Sequence, residues 1–271
     1  MKTPTLAFIG GGNMASAIVG GLLRAGWAAD ELLVVEPDTA QRQRLQQQHG
    51  LTPLAAADDR LARAGLVVWA VKPQLFANAA APCAPFVSQA LQLSVMAGVR
   101  SSAIAKASGS ARVVRAMPNT PALIGAGIAG LHAGAEVDAA GRALVEQVLA
   151  PTGRLIWVER EADLDAVTAL SGSGPAYFFY LVEAMVAAGV QMGLPEAQAR
   201  ELAFATCAGA AAQGLSCTDT PALLRERVTS KGGTTHAAIT SLEQAGVGAA
   251  MRAAVLAAQH RAQELGDEFG S

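Results

Sequence analysis

The sequence predicts an α/β chain, with a doubly wound, mostly parallel sheet in its N-terminal part and an all-α part after it. Three observations predict this. A glycine-rich turn, Gly10-Gly11-Gly12-Asn13-Met14-Ala15, joins the apolar run Leu6-Ala7-Phe8-Ile9 to a helical pattern through Ile18, Leu22 and Leu23. Short β-rich runs then alternate with helical patterns as far as about Val158. After Glu161-Ala162-Asp163 the β pattern stops, and the rest reads as helices broken by glycine and proline. The expected domains are therefore 1–160 and 161–271.

In the first turn Gly10 lets the chain leave its strand tightly, Gly12 lets backbone approach a pyrophosphate, and Ala15 lets the helix pack closely on the strand. The helix N-terminus then offers unpaired N–H groups to phosphates. A second strand, Leu32-Leu33-Val34-Val35, ends on acidic Glu36. Next are expected a polar helix from Asp38 to Gln48, a short strand near Leu51, a helix from Asp58 to Ala64 and a buried strand from Leu66 to Ala70. Further strands are expected at Leu91–Met96, Arg112–Ala116, Ile128–His132 and Leu155–Val158. Ligands of such sheets bind outside the carboxyl ends of the strands. The loops at Gly10, Glu36, Val71-Lys72-Pro73 and Ala97-Gly98 should therefore converge on one crevice. In the helical part Asp163 is expected to cap the first helix, and Leu194-Pro195-Glu196 to start another.

Composition narrows the function. The 271 residues are 52% apolar with a net charge of −2, enough for two cores and without the basic footprint of a nucleic-acid or anionic-membrane binder. Ala176 to Val190 is the most membrane-like stretch, yet it is short for a span and contains Glu183. Met1-Lys2 before an apolar run imitates a secretory signal, but removing it would delete the first strand. Cys83, Cys207 and Cys217 show neither metal spacing nor an even framework, and are expected as small, reduced core residues of a cytoplasmic protein. The four scattered histidines form no metal pattern, and no Ser-His-Asp or paired-carboxylate arrangement supports hydrolysis. Abundant alanine in the C-terminal half leaves wide apolar helix faces, which implies an oligomer.

Three further segments hold more Gly, Pro, Ser and Thr than packing needs. In Arg115-Ala116-Met117-Pro118-Asn119-Thr120-Pro121, Asn119 either presents its amide to a nicotinamide or substrate, or forms an Asx turn. Ser171-Gly172-Ser173-Gly174-Pro175-Ala176-Tyr177 interrupts helix where helix should run, for close helix crossing or for a ligand. Ser230-Lys231-Gly232-Gly233-Thr234-Thr235 precedes a helix whose open amides form a receptor for a carboxylate. Lys231 reads as a solvated loop lysine and His236 as a surface histidine.

Taken in order, Phe8-Ile9-Gly10-x-Gly12-Asn13-Met14, Ala70-Val71-Lys72-Pro73, Ala97-Gly98-Val99, Arg115 to Pro121, Ser171 to Tyr177 and Gly232 to Thr235 resemble Δ1-pyrroline-5-carboxylate reductases along the whole chain. The resemblance implies an N-terminal Rossmann domain and a helical dimerisation domain, in a homodimer that assembles further, up to a decamer. It implies hydride transfer from NADPH or NADH to the imine carbon of pyrroline-5-carboxylate, the last step of proline biosynthesis. Cofactor residues would be Ile9, Gly10, Gly11, Gly12, Asn13, Met14, Glu36, Ala70, Val71, Lys72, Pro73, Ala97, Gly98 and Asn119. Ser230, Gly232, Gly233, Thr234 and Thr235 would bind substrate, with Ser173 and Thr235 catalytic and no metal. Backbone N–H groups of Gly233 and Thr234 would take the carboxylate, and the Thr235 hydroxyl the ring nitrogen.

Two residues depart from the family pattern. Members that favour NADPH commonly carry a small polar residue where this chain has Glu36, and a carboxylate there suits the ribose hydroxyls of NADH. Arg42 or Arg44 on the next helix could still fold over a 2′-phosphate. Lys231 replaces the family's usual proline, which bears on the rigidity of that loop. A β-hydroxyacid dehydrogenase would need a helix-borne lysine that Lys2, Lys72, Lys106 and Lys231 do not supply. A cofactor sensor would not need the second, carboxylate-binding segment.

Overall fold

A computed structural model describes residues 4–269. These form two compact units, the first holding the described residues up to Ser173 and those from Ala258 on, the second Gly174–Ala257.

In the first unit seven strands form one sheet: β1 (Thr5–Ile9), β2 (Leu32–Val35), β3 (Ala64–Trp69), β4 (Leu91–Ser94), β5 (Val113–Met117), β6 (Gly127–Ala133) and β7 (Gly153–Trp157). Their order is β2-β1-β3-β4-β5-β6-β7, and every pair is parallel except β5 with β6. The order reverses beside β1, so the crevice expected of such a sheet opens at the carboxyl ends of β1 and β3. The helices are α1 (Asn13–Arg24), α2 (Thr39–His49), α3 (Phe76–Ala80), α4 (Ala84–Val87), α5 (Ser101–Ser108), α6 (Ala139–Leu149) and α7 (Asp163–Val167). Alternation along the strands builds a core on each side. Leu6, Phe8, Leu66, Val68 and Leu93 pack with Ile18 and Leu22 of α1, while Ala7, Ile9, Val67 and Trp69 pack with Val87 and Ile104.

The sequence expectations hold for most strands and fail at two short elements. The strand expected near Leu51 contracts to a single parallel bridge between Val35 and Leu54. Pro53 lacks the N–H that a longer ladder would need. The helix expected at 58–64 is a 3₁₀ turn, Asp59–Arg63, capped by the Asp58 carboxylate on the Arg60 N–H at 3.0 Å. It is cut short because Ala64 already begins β3. Asp163 does not cap α7 either. It is the first helical residue, and its carboxylate takes the Arg160 guanidinium at 2.6 Å instead. Among the cysteines, only Cys83 is fully buried, which pushes its thiol up to about 11, whereas Cys217 is exposed beyond the end of its helix.

A π-helical turn, Thr168–Gly172, follows α7 and leads to α8 (Gly174–Gln191). The second unit continues with α9 (Glu196–Leu215), α10 (Pro221–Arg227), α11 (Thr234–Gln244) and the first part of α12 (Val247–Phe269). The helical stretch Asp163–Gln191 is long and apolar enough by length and composition to cross a membrane. Phe178, Phe179, Tyr180 and Met185 on α8 are exposed in the single chain. Faces of this kind mark a surface meant to be covered.

Candidate active site

The glycine turn has the conformation its sequence demands. Gly10 has φ +96, and a Cβ there would lie 2.7 Å from the Ala70 carbonyl oxygen. Gly12 is the N-cap of α1 without a capping side chain, and nothing lies within 4 Å of where its Cβ would project. The first N–H groups of α1 are thus left to an anionic ligand. Glu36 closes the loop from the end of β2. Its Oε2 accepts the Gly11 N–H at 2.8 Å and its Oε1 the Asp38 N–H at 2.9 Å. The Gln41 amide donates to the Gly11 carbonyl at 2.6 Å.

Beside this turn an apolar cavity of about 360 Å³ is lined by Gly10, Val35, Pro37, Val71, Leu75 and Cys83, among others. An open helix N-terminus, a carboxylate at the end of β2 and an apolar slot together fit the pyrophosphate, ribose and adenine of a dinucleotide. The loops at Gly10, Glu36 and Val71 converge as the sequence predicts. Pro73 turns toward a second cavity of about 500 Å³ that it shares with Val99. Gly98 lies against the backbone of Leu265 in the last turns of α12.

Behind these loops lies a charged cluster. Arg115 on β5 is buried to 5% side-chain exposure, and its Nη1 meets Glu161 Oε1 at 2.8 Å. The same oxygen accepts the Ser101 N–H at 2.7 Å and so caps α5. Burial raises the Glu161 carboxyl, but the Ser101 N–H and the Arg115 guanidinium outweigh it and hold the group below the usual carboxylate range. Arg100 reaches buried Asp165 at 3.3 Å. Neither Glu161 nor Asp165 was expected to have a structural role. The available signal was an arginine inside the apolar strand Val113-Val114-Arg115-Ala116, which needs a buried partner.

Asn119 departs from one of its two expected readings, the Asx turn. Its Nδ2 donates to the Ser171 carbonyl at 3.2 Å, and its Oδ1 accepts the Ile128 N–H at 3.0 Å. Ser173, half-buried at the end of the π turn, donates its N–H to Thr168 O at 2.8 Å.

The second unit holds the Ser230–Thr235 turn, in which Gly233 is the N-cap of α11 and supplies no capping side chain. The Gly233 N–H is engaged by the Ser230 carbonyl at 3.0 Å, so the amides open to a carboxylate begin at Thr234. Lys231 and His236 are exposed, as expected.

The doubly wound sheet with this cradle defines a nicotinamide-dinucleotide oxidoreductase of the Rossmann type. Residues 5–98 match a family described as NADP oxidoreductase, coenzyme F420-dependent, and residues 161–265 match pyrroline-5-carboxylate reductase dimerisation. The chain belongs to the pyrroline-5-carboxylate reductase family. It is 41% identical to the Pseudomonas aeruginosa pyrroline-5-carboxylate reductase over the whole of both chains. The reductase structure from Coxiella burnetii superposes with a TM-score of 0.89 at 37% identity, covering 97% of this chain and 99% of that one. A Plasmodium falciparum pyrroline carboxylate reductase with NADP bound gives 0.85 at 26% identity, covering 98% and 99%.

Proposed function

We propose that this chain reduces L-1-pyrroline-5-carboxylate to L-proline with NAD(P)H, the last step of proline biosynthesis. One observation carries the reading: the 41% identity to a pyrroline-5-carboxylate reductase extends over the whole of both chains, and so takes in both the nucleotide cradle and the Ser230–Thr235 turn of this polypeptide. Loss of absorbance at the nicotinamide band that requires both substrate and cofactor, with proline as product, is the expected result. No turnover despite cofactor binding would overturn it.

Residues 1–160 act as the dinucleotide domain and 161–271 as the substrate and dimerisation domain. Gly10 to Met14 receive the pyrophosphate, Glu36 the ribose, and Ala70 to Pro73 with Ala97-Gly98 border the cofactor. The bound nicotinamide supplies the hydride that reduces the imine carbon. The chain's own work is to hold the acceptor still. Thr234 and Thr235 offer N–H groups at the start of α11 to the substrate carboxylate, and the Thr235 hydroxyl bonds the ring nitrogen, with Ser173 as the second catalytic contact. A protonated imine already draws the hydride, so no strong general acid is required. Thr235→Ala should therefore lower the chemical step about tenfold to a hundredfold, roughly 1.4–2.7 kcal/mol, with cofactor affinity unchanged. Single-turnover kinetics checks this, and an unaltered rate removes Thr235 from the mechanism.

The exposed aromatic face of α8 lies within the residues that match the dimerisation family, so a second copy, not lipid, covers it. Light scattering at micromolar concentration should show a homodimer or a larger assembly up to a decamer, and a monomer would refute this. The protein works in the cytoplasm, where its cysteines stay reduced.

A further inference from the structure

We propose that Asn119 is a positioning residue for the turn that carries Ser173, joining that turn to the sheet through both arms of its carboxamide. The proposal rests on the reductase reading for its kinetic part only.

The argument begins with Pro175. In a continuous α-helix the Ser171 carbonyl would accept the N–H of the residue four positions on, and that residue is a proline without an N–H. The chain answers with a π turn, Thr168–Gly172, closed by the Ser173 N–H on Thr168 O at 2.8 Å. Single π turns of this kind occur frequently at functional sites. The Ser171 carbonyl takes its donor from elsewhere in the sequence, the Asn119 Nδ2 at 3.2 Å. The other arm of the same amide accepts the Ile128 N–H of β6 at 3.0 Å. Gly172 completes the fit. The Met117 methyl lies only 2.6 Å from where a Cβ on Gly172 would stand, so the end of β5 packs directly on the turn.

One side chain thus spans strand β6, the loop after β5 and the π turn, and its donor and acceptor are both engaged within the protein. Such an amide fixes the register in which Ser173 leaves the turn. It belongs to the frame behind the reacting groups and not to the cofactor's ligands. Geometry of this kind is catalytically sensitive, since a displacement of about 1 Å can cost a hundredfold in rate.

Asn119→Asp keeps the shape and the acceptor arm and removes the donor. We expect kcat to fall about tenfold to a hundredfold, with the Kd for NAD(P)H within about twofold. Amide exchange at Ser173 should accelerate about tenfold or more, with no dependence on turnover. Pro175→Ala supplies the missing backbone N–H, so Asn119→Asp should cost markedly less kcat in that background and fold there even if it fails alone. The proposal is overturned by a tenfold weaker cofactor Kd with kcat unchanged, by unchanged Ser173 exchange, by an equal loss in both backgrounds, or by failure of the double variant to fold. If the native chain did not turn over pyrroline-5-carboxylate, the reductase reading would fall, while the exchange comparison would still decide the role of Asn119.

Discussion

Replacing Glu36 by serine is expected to raise the preference for NADPH over NADH, as a ratio of kcat/KM values, by about one to three decades. The half-buried carboxylate stands at the carboxyl end of β2, the position from which an acidic residue of a doubly wound sheet meets a ribose, and two backbone N–H groups, those of Gly11 and Asp38, hold it there. A 2′-phosphate would meet a fixed negative charge. At about 4 Å the repulsion is ~1 kcal/mol per unit charge pair in water and ~4 kcal/mol in a less polar crevice. Serine removes that charge and releases both N–H groups, which then form part of an anion receptor. Arg42 stands by in either case, with its Nη1 on the Glu36 and Pro37 carbonyls at 2.9 and 2.7 Å and its Nη2 on Thr39 Oγ1 at 2.9 Å. Arg44 is exposed. The gain in NADPH use should shrink as ionic strength rises, because the site is open enough to be screened. An unchanged cofactor ratio would show that Glu36 only closes the loop.

What the sequence made legible was local or periodic. The turn at Gly10, the burial of β1 and β3 and the start of α2 at Asp38 follow from residues within one helical turn of each other. Asp38 caps α2 through the N–H groups of Ala40 and Gln41. The features that escaped depend on partners brought together by the fold. Glu161 caps α5 from beyond β5, β6 and β7 in the sequence, and no spacing rule connects it with Ser101. Asn119 carried a readable alternative, ligand or Asx turn; the structure shows no Asx turn, and the partners its side chain does have come from β6 and from the π turn, which no spacing rule reveals. The orphaned Ser171 carbonyl was foreseeable from Pro175, but its donor was not. The Ser230–Thr235 turn was legible as a helix start with open amides, whereas the engagement of the Gly233 N–H by Ser230 O depends on backbone geometry that composition does not encode.

Glu161→Gln should destabilise the first unit by about 3 kcal/mol, because it leaves the Arg115 guanidinium charged and buried without its counterion. Among the described residues the Arg115 Nε already lacks a partner, so the guanidinium depends on Glu161 for its charge compensation. Glutamine can still accept the Ser101 N–H, which confines the loss to the charge. A scanning melt should move down by roughly 6–12 °C, and the activity lost should return on cooling. The pH dependence identifies the group. The folded Glu161 carboxyl lies below its ordinary value of 4.5, so the unfolded chain binds the proton first. Its contribution is fully present above that value and is lost as pH falls through the lower, folded one. His132 on β6 pairs with Arg115 on β5, and burial first, with Arg115 and Arg142 adding, holds its imidazole below the ordinary 6.5 against the pull of Glu161 and Asp163. It too withdraws stability on acidification, starting nearer 6.5. The native chain should therefore lose stability over both ranges on acidification, and Glu161→Gln should shrink the lower loss while leaving the one that starts near 6.5, to which His49, lowered by burial, also contributes. An unchanged lower loss would leave the Arg115 pair without the weight given to it.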